Sequence, residues 1–262
     1  QAKNNFDRVE TLGTALLGMS LTCARCHTHK YDPIPQQEYY RMMAFFNSTA
    51  EPSMDGNKYE FGPTIKAPSD IAAWDKWEAL NIKHVSLTKQ ASAKPELKEQ
   101  VAAVAKEIAE FKKSFKPSLI ARDLPKPRET KLLERGEYNL PKGEPLKPDV
   151  FAVMGTLPKD APANRLGLAQ WLTARGHPLV SRVLINRVWQ RTFGEGLVRT
   201  PADFGLQGEH PTHPELLDWL AVELQDQKWN LKAMLRLMVT SRTFKQSSAF
   251  RAKVNDPENR LW

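Results

Sequence analysis

The residues best suited to chemistry form one pentapeptide, Cys23-Ala24-Arg25-Cys26-His27, which holds both cysteines of the 262-residue chain. Two thiols at this spacing can add across the two vinyl groups at one edge of a haem, and the histidine that follows is placed to ligate the iron. The spacing therefore predicts a covalent haem c site with Cys23, Cys26 and His27 as its binding residues.

Two other kinds of site use the same residue types. Zinc or another metal ion would take Cys23, Cys26, His27 and His29, although four ligands within seven residues are strained and structural zinc usually draws a second pair from farther away. More distant candidates are His84, His177, His210 and His213. A redox-active dithiol of the thioredoxin type follows a strand, whereas the sequence predicts a helix before this motif. The metal site remains the alternative to haem.

Two questions about such a haem site stay open at the sequence level. Thioethers are common iron ligands in electron-transfer haems, so the sixth ligand has candidates in Met19, Met42, Met43 and Met54. Met42 and Met43 also fit the apolar face of a predicted helix. In addition, haem attachment does not need the segment that follows, His29-Lys30-Tyr31-Asp32-Pro33. Its polar side chains could contact a haem propionate or a second ion, or form a capped, solvated turn.

Helices are predicted on both sides of the pentapeptide. Apolar residues recur at three- and four-residue steps in 5–18 and again in 36–47, with a proline-containing turn between. Two further helices should form an antiparallel hairpin, the first capped by Ser69 and the second opened by Pro95. Short strands are predicted around 118–123 and 130–134.

The last hundred residues are predicted to be helical again, with Asn164, Ser181 and Asn230 as helix caps. The fold class is therefore mainly α: two helical domains joined by a Pro-rich extended linker, with a helical hairpin inserted after the first. The predicted segments are a C-x-x-C-H domain (1–69), the hairpin (70–116), the linker that closes the first domain (117–162) and a truncated C-terminal domain (163–262).

Composition narrows the classes of partner. The formal net charge is +8, but the basic residues are spread along the chain and mixed with 30 acidic ones, and no basic stripe with interleaved aromatics appears. We therefore expect no nucleic-acid partner. No run of apolar residues is long enough to span a membrane. Because the chain begins at Gln1 within helix-like sequence, we expect it to be a fragment or a processed chain.

Two sets of longer motifs resemble known families. The first set, around and after the pentapeptide, resembles a planctomycete-type cytochrome-c-like domain of unknown function: LLGMSLTCARCHTHKYDPI, EYY, AFFN and RDLPKPRET. The second set resembles the partner domain that follows it in the same large proteins: NRLGLA, NRVWQ, FGEGLV, DFGLQG, HPELLDWL and TS. This sequence departs from the first pattern at Thr28, where the family usually has an acid, which weakens an ion-binding role for that turn.

The resemblance implies an exported protein, periplasmic or at the cell surface, that binds haem and passes electrons to a redox partner protein or an upstream cytochrome domain. It also implies an association with polysaccharide use, and a sulfated polysaccharide would suit Arg and Asn donors. The C-terminal segment offers such a set in Asn164, Arg165, Asn186, Arg187, Asp203 and His213. The alternatives are a buried polar network with helix caps, and a carbohydrate module whose Cys/His cluster holds a structural metal. Whether the protein turns over a substrate is left undetermined.

Overall fold

A computed structural model describes residues 2–51, 62–92, 94–247 and 256, and this part of the chain is mainly α, as predicted. Its α-helices are α1 (Ala2–Leu12), α2 (Gln36–Asn47), α3 (Ile71–Ala91), α4 (Lys98–Lys112), α5 (Arg165–Leu172), α6 (Val180–Phe193), α7 (Pro214–Asp226) and α8 (Leu231–Thr240). Its strands are β1 (Thr64–Ala67), β2 (Lys116–Leu119), β3 (Thr130–Leu133) and β4 (Pro141–Leu146). No helix of the described residues has the length and hydrophobicity that crossing a membrane requires.

The chain folds into two compact units. One consists of residues 1–48 together with 126–262, and the other is the intervening segment 49–125. The predicted helical hairpin of 70–116 lies within the second unit, whereas the predicted linker of 117–162 is divided between the two. The boundaries of the four predicted segments thus differ from those of the two compact units.

Three hydrogen bonds close the first unit across the gap in its sequence. The backbone N–H of Arg128 donates to Ser48 Oγ at 3.1 Å, and its guanidinium donates to the carbonyl of Asn47 at 2.8 Å. The Asn47 side chain in turn donates to Thr130 Oγ1 at 2.9 Å. The chain therefore leaves this unit at residue 48 and re-enters it close by, so that 49–125 is an insertion.

The second unit is built on the predicted hairpin. Helices α3 and α4 enclose a small core of Leu80, Val104 and Ile108, and strands β1 and β2 pair in antiparallel. The predicted cap of α3 at Ser69 is wrong. Asp70 caps the helix by accepting the backbone N–H of Ala73 at 2.9 Å, because its carboxylate reaches the first turn and Ser69 Oγ bonds that carboxylate instead.

The first unit places the N-terminal helices and part of the C-terminal segment around one core. Helix α1 continues as a π-helical turn over Gly13–Leu17 and ends at Gly18, whose φ of 58° lies in the left-handed region. Its apolar face packs on α2, whose observed bounds match the prediction. The same core takes in residues of α5, so the predicted C-terminal domain shares apolar contacts with the N-terminal helices. Members of this core include Val9, Leu17, Tyr39, Tyr40, Phe151, Leu168 and Trp171.

Helices α6, α7 and α8 enclose a second core, and two of the three predicted caps in this region are confirmed. Asn164 accepts the N–H groups of Leu166 and Gly167, and Asn230 accepts that of Ala233. The predicted cap at Ser181 is wrong, because α6 already begins at Val180 and the buried Ser181 hydroxyl accepts from Gln225 at 2.9 Å. The ring of His177 takes the capping role.

The Pro-rich stretch contains a short hairpin of β3 and β4. The predicted strands around 118–123 and 130–134 correspond to β2 and β3, whereas β1 and β4 were not predicted. Strand β4 is exposed along nearly its whole length and carries prolines, so it lacks the alternation of apolar and polar residues that marks a half-buried strand. Strand β1 has only four residues, and three of them are exposed.

Candidate functional site

Helix α2 holds the C-x-x-C-H motif in place. Residues Thr22–Arg25 form a 3-10 turn, and the carbonyl of Cys23 accepts the N–H groups of Cys26 and His27 at 3.2 and 3.4 Å. Two side chains of α2 bind the next carbonyl along: Tyr40 Oη and Gln36 Nε2 both donate to Arg25 O at 2.9 Å. The motif is thus anchored to α2 through its backbone.

Arg25, between the two cysteines, is directed inward. Its guanidinium lies 5.1 Å above the ring of Phe6 and 3.5 Å from a carboxylate oxygen of Glu10. The Tyr40 hydroxyl beside it stays protonated, since burial, reinforced by the neighbouring Cys26, raises the pKa of this phenol. A neutral Tyr40 can donate to the Arg25 carbonyl at any physiological pH.

The predicted haem ligands lie at the surface of the first unit. Cys23 is exposed and Cys26 is half-buried, and neither forms a disulfide. The exposed His27 ring donates from Nδ1 to the carbonyl of Thr28 at 2.6 Å, since a carbonyl oxygen can only accept. Nε2 is then the nitrogen with a free lone pair, and a hydrogen bond at the other ring nitrogen is what commonly orients a metal-bound histidine. These three residues fit covalent attachment of haem.

The fourth residue of the metal alternative, His29, belongs to a different environment. Its side chain is buried, and its Nδ1 accepts the backbone N–H of Asp32 at 2.9 Å, with Asp32 Oδ2 3.3 Å away. Across the described residues, no three side chains among His, Cys, Asp and Glu are grouped so that they could hold a metal ion. The thiols and His29 are therefore not gathered around one point.

Three of the four methionines considered as sixth ligand lie within the described residues, and all three are core residues. Met19, Met42 and Met43 are at most 6% exposed and pack in the first core, so ligation by any of them would require that core to open. Met54 lies outside the described residues. The bulk and polarizability of these thioethers serve packing.

The segment after the motif docks on the C-terminal part of the first unit. The buried carboxylate of Asp32 accepts the backbone N–H of Leu206 through Oδ1 at 2.8 Å, and the N–H of Phe204 donates to Gly18 O at 2.6 Å. The interpretation of this segment as a solvated turn is therefore wrong for His29 and Asp32. It joins the C-x-x-C-H region to the loop 203–208, and the motif spacing alone gave no sign of this contact.

A cavity of about 460 Å³ lies beside this junction. Its wall is largely apolar, and its polar side chains include His210, Glu209 and the ion pair of Arg182 with Asp218. Cys23, Cys26 and His27 are all outside its lining. The cavity is within the size range of small-molecule sites, and its apolar wall residues include Met19, Val153, Met154, Leu179, Val198, Phe204, Leu206 and Leu217.

The six polar residues predicted as a C-terminal site are all absent from that lining. Asn186 is fully buried and pairs with Val198 through both its amide atoms at 2.9 Å, and Arg187 donates to the carbonyls of Thr14 and Pro201. Asp203 accepts the N–H of Gly205.

The remaining members of that set are dispersed as well. Asn164 caps α5, Arg165 opens the same helix, and His213 precedes α7 with its ring 3.0 Å from Thr212 Oγ1. Four of the six, Asn164, Asn186, Arg187 and Asp203, bind backbone groups, which accords with the alternative of a polar network with helix caps.

Comparison with known families gives two matches. Residues 1–51 match PSCyt2, a protein family of unknown function (DUF1549), and residues 164–262 match PSD1, a second family of unknown function (DUF1553). No curated protein and no solved structure matches the chain. The chain is therefore similar to PSCyt2 over residues 1–51 and to PSD1 over residues 164–262, the two parts in which its motifs resemble known families.

Proposed function

We propose that the first unit is a c-type haem module that carries electrons. The observation that supports this most directly is the arrangement of the motif: an exposed Cys23 and a half-buried Cys26 at a 3-10 turn, with no disulfide, followed by an exposed imidazole whose Nδ1 is already hydrogen-bonded. Neither thiol is in a disulfide, and the backbone of the motif is fixed from α2.

In this proposal the chain's own residues bind and orient the haem. Cys23 and Cys26 would tether it through thioethers and His27 would supply Nε2 to the iron, while the donors Gln36 and Tyr40 hold the backbone of the motif in one conformation. A bound haem would supply a one-electron redox centre. The partner is then a redox protein or a cytochrome domain.

The proposal includes export to the periplasm or the cell surface, since covalent attachment of haem requires export and a dedicated lyase. The link to polysaccharides rests on the family resemblance alone, and binding of a sulfated glycan to the purified protein is its test.

The test is production of the exported protein with a haem c maturation system. We expect the denatured protein to gain the mass of one haem and to show Soret and α bands, and we expect C23A/C26A to lose both. H27A should alter the spectrum by removing an axial ligand, whereas H210A, a change at another exposed histidine, should leave it unchanged.

A folded, exported wild-type protein without added mass and without haem bands would contradict the proposal. If that haem-free protein instead contained stoichiometric zinc that C23A/C26A removed, elemental analysis would favour the structural metal site.

A further inference from the structure

A turn in the β3–β4 hairpin covers one of the two cysteines. Residues Glu134–Gly136 form a 3-10 turn, and Gly136 has a φ of 77°. A Cβ atom on Gly136 would lie 3.0 Å from Cys26 Sγ and 3.2 Å from Arg25 Cγ. Gly136 thus lies so close to the Cys26 sulfur that a side chain at this position would crowd the sulfur.

The turn is held at this distance from both sides. Gln36 Nε2, which binds the Arg25 carbonyl, also lies 3.3 Å from Leu133 O, so one amide group connects the motif with the end of β3. Within the hairpin, the N–H of Glu134 donates to Leu140 O at 2.9 Å, and that of Glu137 donates to Glu134 O at 3.0 Å. Withdrawal of the turn from Cys26 would break the bond of Gln36 to Leu133, and the two bonds within the hairpin fix the shape of the turn itself.

We propose that Gly136 is a positioning residue for the thioether at Cys26, an inference that rests on the proposed function. In thioether formation the sulfur bonds to the vinyl carbon next to the porphyrin ring, the terminal carbon gains the hydrogen of the thiol, and the double bond is consumed. No oxidant or reductant is needed. The Cys26 sulfur must, however, accept a carbon substituent on its accessible side. Because Gly136 has no side chain, the sulfur has room to rotate toward that side.

A side chain at position 136 acts on one cysteine only. It would press on Cys26 Sγ, which would have to shift by a few tenths of an ångström, whereas Cys23 is exposed. We therefore expect G136A to lose the thioether at Cys26 and keep the one at Cys23. Haem attached by a single bond retains one vinyl group in conjugation with the ring, which moves its absorption to longer wavelength.

Gly143 in β4 provides the matched control. Its φ of 75° is nearly that of Gly136, but no atom lies within 4 Å of the position of its Cβ. G143A therefore introduces the same backbone strain into the same hairpin without touching a cysteine. The pair G136N and G143N repeats the comparison with a residue that tolerates positive φ, should alanine at 136 prevent folding.

The experiment compares these variants after haem maturation. Peptide mapping with thiol alkylation should find Cys26 alkylated and Cys23 bound to haem in G136A and G136N, with the α band of the reduced pyridine complex shifted to longer wavelength. The wild type, G143A and G143N should show both thioethers. In the haem-free proteins, iodoacetamide should modify Cys26 more slowly in G136A than in G143A, with no difference at Cys23.

The two proposals fail in different ways. A wild type with two thioethers, together with G136A and G136N that match their controls in peptide maps and in alkylation rate, would overturn the role of Gly136 alone. A wild type that takes no haem would overturn the proposed function, and equal alkylation rates at Cys26 in G136A and G143A would then overturn the steric argument as well.

Discussion

The imidazole of His177 caps a helix from a buried position, so its protonation opposes folding. It is 5% exposed, its Nδ1 accepts the N–H groups of Leu179 and Val180 at 3.2 and 3.3 Å, and its ring lies edge-on to Trp171 at 4.4 Å. Burial lowers the pKa of His177 to about 4, well below the ordinary value of 6.5. A proton on Nδ1 would also remove the acceptor that caps α6.

The pKa of His177 predicts a loss of stability in acid. Between pH 6.5 and 4 the imidazole of His177 binds a proton in the unfolded chain but not in the folded one. The free energy of unfolding is therefore largest above pH 6.5 and falls progressively as the pH approaches 4. A shift of this size corresponds to roughly 3 kcal/mol, at about 1.4 kcal/mol per pKa unit. Urea unfolding at a series of pH values measures it.

The variant that isolates this effect is H177N, whose amide oxygen can still accept from the start of α6 but does not titrate. We expect its free energy of unfolding to fall by roughly 3 kcal/mol less than that of the wild type over the same pH range. H210N, at an exposed histidine, should retain the wild-type dependence. Equal slopes for H177N and the wild type would show that His177 is not the responsible group.

At the scale of elements, the decisive contact is the docking of the segment after C-x-x-C-H on the loop 203–208. Gly205 lets its backbone approach the Asp32 carboxylate, since a Cβ there would lie 2.5 Å from Asp32 Oδ1. Gly18 does the same at the end of the π-helical turn, where a Cβ would meet Phe204 and Val183 at 2.8 and 2.9 Å. The C-x-x-C-H region and the C-terminal segment are therefore fitted to each other by residues without side chains.

This fit predicts that G205A destabilises the first unit. The added methyl group would displace the buried Asp32 carboxylate from the N–H of Leu206, and overpacking of this kind costs typically 1–3 kcal/mol. G176A is the control, because nothing lies within 4 Å of the Cβ position of Gly176. Urea denaturation of both variants at neutral pH gives the comparison, and an equal midpoint for the two would argue against a close fit at Gly205.

At the scale of the whole molecule, the segment 49–125 is an insertion, and the residues on either side of it contact each other within the first unit. The contacts of Arg128 with Ser48 and Asn47 belong to that unit, and so do the motif, its anchors on α2 and both larger cores. The insertion has its own core in the α3–α4 hairpin. Each unit thus has an independent source of apolar stabilisation.

We predict that replacing residues 49–125 with a short Gly/Ser linker leaves the first unit folded. Because its chain ends at 48 and 126 are already held together, the linker replaces a long loop closure with a short one, and closure entropy changes slowly with loop length. The shortened protein should unfold cooperatively and, after maturation, carry haem as the full chain does. A molten or aggregated product would show that the first unit depends on the insertion.

The sequence by itself determined most of the helices and identified the motif as a candidate haem site. The bounds of α2, the caps Asn164 and Asn230 and the hairpin of α3 and α4 follow from local periodicity and capping, which act over a few residues. The choice of Cys23, Cys26 and His27 likewise depends on spacing within one turn. These features are short-range, so the order of residues is enough to predict them.

Only the tertiary structure decided what surrounds the motif. It brought Gly136 to Cys26 from 110 positions away, joined Asp32 to Leu206 across a sequence separation of 174 residues, and made His177 a helix cap where Ser181 was expected. It also gave four of the six polar residues of the C-terminal segment separate backbone partners. Such contacts depend on how the cores pack and on which backbones can approach closely, and these are properties of the folded chain that no local pattern encodes.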